Sequence, residues 1–281
     1  MRLREYGGSE KAEGTERAER LTAKIVAVAA LALLLLGGGA ALAIKGHRSA
    51  VAVDSTSLCP TEQPPSEVDV LLLDVSDRFT EPQRLQLTNQ LARLRDSISR
   101  FGLVEMYTVE RLSRRVTEPV VHLCNPGTGE DLSKIYQNPE LARKKWQGFA
   151  DKLNADIDRQ IALPAMTTSP IFEAIQATAL RTFGKPEYDG LPKRLVVVSD
   201  LLQNVPGELS MYDGVPSFES FEKRPYYSRV RSDLGGVSVQ LYYLARPTVR
   251  QQNQNHLAFW RDYFQAQGAE VQGVKKIFGD R

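Results

Sequence analysis

Apolar positions along the chain fall into blocks of two kinds. The longest block is unbroken: Ile25 to Ile44 carries no charge and is almost wholly Ala, Leu, Val, Ile and Gly. A helix rises about 1.5 Å per residue, so roughly 20 such residues cross a hydrocarbon core of about 30 Å. Gly37-Gly38-Gly39 would weaken that helix in water, but unpaired backbone groups cost more in lipid and favour helix there. Residues 45–67, with Ser55-Thr56-Ser57, Pro60 and Pro64-Pro65, have no apolar period and read as a linker. Shorter blocks follow. Val68–Leu73 is an apolar run of the kind a strand covered on both faces shows. Leu85, Leu87, Leu91, Leu94 and Ile98 recur at roughly helical spacing over 81–101, with Thr80 as N-cap and Glu81 in the first turn. Leu103–Val109 and Pro119–Leu123 predict strands, the second closing at the turn signal Cys124-Asn125-Pro126-Gly127. Helices are predicted over 139–161, after Pro170 and over 250–267; strands over Lys193–Leu201 and Val237–Leu244, with an edge strand over Ala269–Ile277. Strands alternating with helices predict an α/β fold: a mainly parallel, doubly wound sheet with helices on both faces, one domain spanning 68–281.

Charge decides the orientation of the first block. Arg2, Arg4, Lys11, Arg17, Arg20 and Lys24 precede it, and only Lys45 and Arg48 follow closely. That bias predicts a cytoplasmic tail over 1–24, a single-pass anchor over 25–44 in the cytoplasmic membrane, and a body outside the cytoplasm. The alternative is a cleaved secretory signal ending near Ala41-Leu42-Ala43, although the apolar core of such a signal is usually about 7–15 residues. Both export the body. There, Cys59 and Cys124 are candidates for a disulfide, with two buried free thiols as the other reading. His47, His122 and His256 are far apart and without a cysteine cluster, which argues against zinc. Overall, 36 Lys+Arg against 34 Asp+Glu leaves a net charge of +2, which by itself gives no electrostatic footprint for nucleic acid.

Candidate chemistry concentrates where strands end. In open α/β sheets ligands gather at the carboxyl ends of strands. Two predicted strands end there in an aspartate, in Leu73-Asp74-Val75-Ser76-Asp77-Arg78 and in Val198-Ser199-Asp200. Thr167-Thr168-Ser169 stands just before a helix. Carboxylate and hydroxyl oxygens in such a set suit a hard cation such as Mg²⁺. With these residues the chain resembles the von Willebrand factor A (integrin I-type) domain across roughly 68–277. Asp74 and Ser76 match the first two ligands of that family's metal-ion-dependent adhesion site, Ser169-Pro170-Ile171 its threonine turn, and Asp200 its last ligand. The resemblance implies a bound Mg²⁺ or Mn²⁺ held by Asp74, Ser76, Ser169 and Asp200, and a protein partner whose acidic group completes the coordination. The chain departs from the pattern at Arg78, which stands in place of the family's second serine. A guanidinium cannot ligate a cation. Arg78 is therefore expected either to pair with Asp74 or Asp200 in place of metal, leaving no cofactor, or to point into solvent.

Two further readings stay open. An exported phosphate-ester hydrolase would use Asp74 as nucleophile, but Ser76 stands where its acid/base carboxylate is needed. In a purely structural subunit, Asp74 and Asp200 would simply accept backbone hydrogen bonds at strand ends. No Gly-x-Ser-x-Gly elbow or glycine-rich phosphate loop occurs, and the chain reads as a non-enzyme. Last, residues 203–236 read as a long loop bordering the same edge. Its Tyr212, Phe218, Phe221, Tyr226 and Tyr227, beside Arg224, Arg229 and Arg231, are expected with Arg78 to form a protein-binding surface, or else to fill a satellite core and cover the sheet edge.

Overall fold

The computed structural model describes residues 24, 30–32, 51–113, 118–130, 138–163 and 165–279. The chain divides into two units, residues 1–51 with 133–138, and residues 52–132 with 139–281. Of the apolar segment 25–44, only residues 30–32 are described, and they are helical. The rest of the predicted anchor and nearly all of the tail lie outside the described residues. Among the described residues no helix is long and apolar enough to cross a membrane.

The second unit is mixed α/β around a six-stranded sheet in the order β3-β2-β1-β4-β7-β8. These strands are β1 (Val68–Leu73), β2 (Leu103–Thr108), β3 (Val121–Cys124), β4 (Lys193–Ser199), β7 (Val237–Leu244) and β8 (Glu270–Ile277). Every neighbouring pair is parallel except β2 with β3. The chain starts at the centre with β1, winds outward to β3, and returns to pair β4 on the other side of β1. Connections therefore leave β1 and β4 in opposite directions, opening a crevice at their carboxyl ends.

Helices cover both faces, which is why the central strands β1 and β4 carry the apolar runs Val70–Leu73 and Leu195–Val198. Val70, Leu72, Leu195, Val197, Val239 and Leu241 join one core with α4 (Ile171–Thr178), α5 (Phe218–Glu222), α6 (Pro225–Val230) and α7 (Gln254–Ala266). Leu71, Leu73, Val196, Val198 and Tyr242 join the other with α1 (Glu81–Asp96) and α3 (Pro139–Ile161). Helix ends follow local chemistry. Thr80 caps α1 reciprocally with Gln83, and α1 stops at Asp96, short of the predicted end at 101, where the chain turns through Phe101 at φ 65°. Asn253 accepts from the amides of Asn255 and His256 and so starts α7 at Gln254 rather than near 250. A short helix, α2 (Val109–Ser113), continues directly from β2.

Three expectations change. Residues 203–236 are not one loop: they hold a small hairpin, β5 (Asn204–Val205) with β6 (Leu209–Ser210), followed by α5 and α6. The expected surface of Phe218, Phe221, Tyr226 and Tyr227 is instead core. Phe221 and Tyr226 are buried, and Phe218 and Tyr227 pack partly buried against the same cluster. Phe172 gathers these rings, with Phe221 at 4.9 Å and Trp260 at 4.7 Å between centroids. Burying several aromatic rings outweighs leaving them in water. The second half of the expected linker is likewise folded. Val53 bridges Pro60, Asp54 Oδ1 accepts from the amides of Thr56 and Ser57, and Cys59 is joined to Cys124 by a disulfide.

Edge strand β3 is also tied by a buried carboxylate. Glu105 on β2 receives Tyr107 Oη at 2.9 Å and Thr182 Oγ1 at 2.5 Å, and pairs with His122 Nδ1 on β3 at 2.9 Å. Thr182 sits in a π-helical turn, Ala179–Phe183, that extends α4. Burial pushes the Glu105 carboxyl up, but His122, Thr182, Lys185 and Tyr107 together hold it below its ordinary value.

Phe172→Ala should cost about 3–5 kcal/mol, because the ring touches core aromatics on several sides and its removal leaves a cavity. Urea denaturation should show the midpoint falling with an unchanged slope.

Candidate functional site

The crevice between β1 and β4 is where the predicted oxygens meet. Asp74 leaves β1 and Asp200 leaves β4, in adjacent parallel strands whose register pairs Leu73 with Val198. Both side chains are buried. Asp74 Oδ1 accepts the Ser76 amide at 3.0 Å, and Oδ2 accepts Ser169 Oγ at 3.0 Å and Ser199 Oγ at 2.6 Å. Ser169 reaches the site because its backbone bridges Asn204, which fixes the entrance to α4 beside the β4 exit. Asp74, Ser169 and Asp200 thus converge, and Ser76 is buried beside them. Ser199 belongs to the same cluster and was missed from sequence.

The turn after Ser199 is held from below. Leu201 has φ 60°, a left-handed conformation unusual for leucine. Its amide donates to Ser199 Oγ at 2.7 Å, and its carbonyl accepts Trp260 Nε1 at 2.9 Å with His256 Nε2 at the same distance. His256 is fully buried, which lowers its pKa and keeps the ring neutral. Gln203 Oε1 then accepts the first amides of α4, from Ile171 at 2.6 Å and Phe172 at 3.1 Å.

The cation in this cluster is not Arg78. Arg78 is exposed; only its carbonyl takes part, accepting Arg246 Nη1 at 3.0 Å. Arg246, two residues beyond β7, places Nε 3.3 Å from Asp200 Oδ2 and Nη2 3.8 Å from Asp77 Oδ2. Its side chain is 17% exposed. Tyr212 Oη donates to Asp77 Oδ2 at 3.2 Å, and Gln251 and Gln252 brace the rim through the carbonyls of Tyr212 and Asp200. Arg246 had a signal in the sequence: it follows an apolar strand at the same edge as Asp74 and Asp200, but a search for oxygen ligands passes over an arginine.

Burial pushes the Asp200 carboxyl well above its usual range, and the Asp74 charge and the hydrogen-bonded Asp77 add to the rise; the Leu202 amide and Arg246 oppose it. Chemically the site holds two buried carboxylates whose oxygens already accept from hydroxyls, amides and one guanidinium. Among the described residues no group of three or more His, Cys, Asp or Glu forms a metal cluster.

No protein-family model matches the chain, and no curated protein matches it. Among solved structures, it is similar to the conserved hypothetical protein BatB from Bacteroides thetaiotaomicron, at 12% identity and a TM-score of 0.34, over 76% of this chain and 91% of that one. It is also similar to an aerotolerance-related membrane protein from Bacteroides fragilis NCTC 9343, at 14% identity and a TM-score of 0.31, over 76% of this chain and 92% of that one.

The raised Asp200 pKa has a sign. Its proton is held to higher pH in the folded state than in the unfolded chain, so the stability it contributes is full below about pH 3.8 and is lost as pH rises through the folded value. Asp200→Asn, which cannot ionise, should therefore gain on the wild type between pH 4 and neutral. Urea midpoints of both proteins across that range test this; a constant difference between them would refute it.

Proposed function

We propose that this chain is a non-catalytic, von Willebrand A-like interaction domain, anchored in a membrane through residues 25–44 and displayed outside the cytoplasm. It docks a protein partner at the carboxyl edge of β1 and β4. The carrying observation is Arg246, whose guanidinium lies against Asp200 and Asp77. An internal cation there offsets the acidic cluster and makes docking independent of Mg²⁺ or Mn²⁺. Were a divalent ion to bind, Asp74, Ser76, Ser169 and Asp200 would hold it, and Arg246 would have to leave. Like charges at about 4 Å oppose each other by some 4 kcal/mol at an effective dielectric near 20, so both do not share the site.

The rim suggests the partner's chemistry. Arg78 and Arg250 are exposed, and neither guanidinium has a side-chain partner among the described residues; Tyr212 lies between the loops that carry them and is 39% exposed. Unpaired guanidiniums beside a half-exposed aromatic ring fit an acidic segment of a partner. Hydrolysis fits less well. Asp74 has both oxygens engaged by donors, and Ser76 stands where a second carboxylate would be needed.

Two measurements check this. Calorimetric titration of Mn²⁺ into the wild type should give no binding heat, and Arg246→Ala should gain it; wild-type binding that Asp200→Ala abolishes would establish the metal-dependent alternative. A photo-crosslinking residue at position 212, in membranes of the source cell, should capture a partner and lose it in Arg78→Glu/Arg250→Glu. Equal capture from position 85, on the exposed side of α1, would count against the carboxyl edge.

A further inference from the structure

The Cys59–Cys124 bond holds a piece of chain that has little else to hold it. Most hydrogen bonds of residues 52–61 stay within the segment: Asp54 N to Cys59 O, Leu58 N to Asp54 O, Thr61 N to Ala52 O, and Asp54 Oδ1 accepting from the Ser57 and Thr56 amides. The segment is a self-contained turn. Its attachments to the sheet, among the described residues, are the disulfide, one backbone bond from Cys124 N to Ser57 O at 2.8 Å, and the partly buried side chains of Leu58 and Cys59. The next firm contact is at Ser66, whose amide donates to Phe101 O and whose hydroxyl donates to Arg100 O. Leu58, next to the bridged cysteine, has φ 60°, where a leucine is strained. The two cysteines also differ in exposure: Cys124 is fully buried, whereas Cys59 is only partly so.

We propose that this disulfide is a releasable staple that sets the length of chain leading into the domain. When it is formed, residues 52–66 belong to the folded body. When it is reduced, they run out as extended chain while the six-stranded sheet stays folded. The reductant is a dithiol. Its thiolate attacks the sulfur of the less buried cysteine, Cys59, the bond to Cys124 breaks, and Cys124 leaves as a thiolate that takes up a proton. The second thiol then closes on the mixed disulfide and releases Cys59. In all, two electrons and two protons pass to the protein, and the dithiol becomes a disulfide. At 3.3–3.6 Å per residue the freed segment reaches at most roughly 50 Å. On the anchored reading above, that length adds to the distance between domain and membrane; the release itself does not depend on that reading.

Amide hydrogen exchange on the full chain in detergent, with and without dithiothreitol, tests the staple. Reduction should bring the Leu58 and Thr61 amides to the rate of unfolded chain while the amides of β1 and β4 keep their protection. The double variant Cys59→Ser/Cys124→Ser should reproduce the reduced pattern without reductant. Protection of Leu58 and Thr61 that survives reduction would overturn the proposal, because the turn would then be held without the bond. Loss of protection in β1 and β4 as well, in the reduced protein or the variant, would also overturn it, because the bond would then belong to the core.

Discussion

The carboxylate of Asp74 ties together three parts of the chain that are distant in sequence. It accepts from its own turn through the Ser76 amide, from the entrance to α4 through Ser169, and from the end of β4 through Ser199. Those are the elements whose paths diverge at the switch in strand order. A crevice of this kind opens automatically when a parallel sheet is wound in both directions, but nothing in the winding holds its walls in register. An acceptor with several donors does, because a buried carboxyl group is tolerable only when its lone pairs are engaged. Ser199 passes the constraint on: its hydroxyl also accepts the Leu201 amide, and Leu201 is pinned by Trp260 from α7. The geometry of the edge is therefore set by the core beneath it.

Arg246 follows from the same constraint. Asp200 is buried beside Asp74, and without a positive group between them and Asp77 the repulsion would be relieved only by protonation or by a bound cation. A guanidinium supplied from just beyond β7 neutralises part of that charge and uses its fixed fork to bind Asp200 while also donating to the Arg78 carbonyl. An arginine in this position is a permanent member of the site, whereas a metal ion can exchange. On the docking proposal above, the acidic residues form the platform and recognition falls to the rim.

The centre of the sheet was legible in the sequence because burial on both faces leaves a simple mark: its strands appear as largely apolar runs, and Val237–Leu244 matches its predicted bounds to the residue. Asp74 and Asp200 were legible for the same reason, since strand ends are readable whenever strands are. What was not legible depends on contacts between distant segments. Arg78 and Arg246 both follow apolar strands, and only the path of the chain beyond each strand decides which guanidinium turns toward Asp200. Phe221 and Tyr226 look like surface aromatics in a loop rich in proline and glycine, and become core because Phe172 and Phe259 meet them. Residues 52–61 have no apolar period, and their order comes from an aspartate-centred turn and a bond to a cysteine 65 positions away.

The two ends of the sheet carry different chemistry. Cys124 pairs with Leu103, the first residue of β2, so the disulfide lies at the amino edge. Asp74 follows Leu73, which pairs with Thr108, the last residue of β2, so the acidic site lies at the carboxyl edge. With strands of this length, roughly 20 Å of buried sheet separates the two. The chain thus enters the domain at one end and offers its rim of Arg78, Tyr212 and Arg250 at the other. A partner docking at the rim need not contact the entering segment, and a change in that segment need not disturb the rim. Between them, β1 is buried along its whole length and β4 over Leu195–Ser199, so the centre of the sheet separates the two ends.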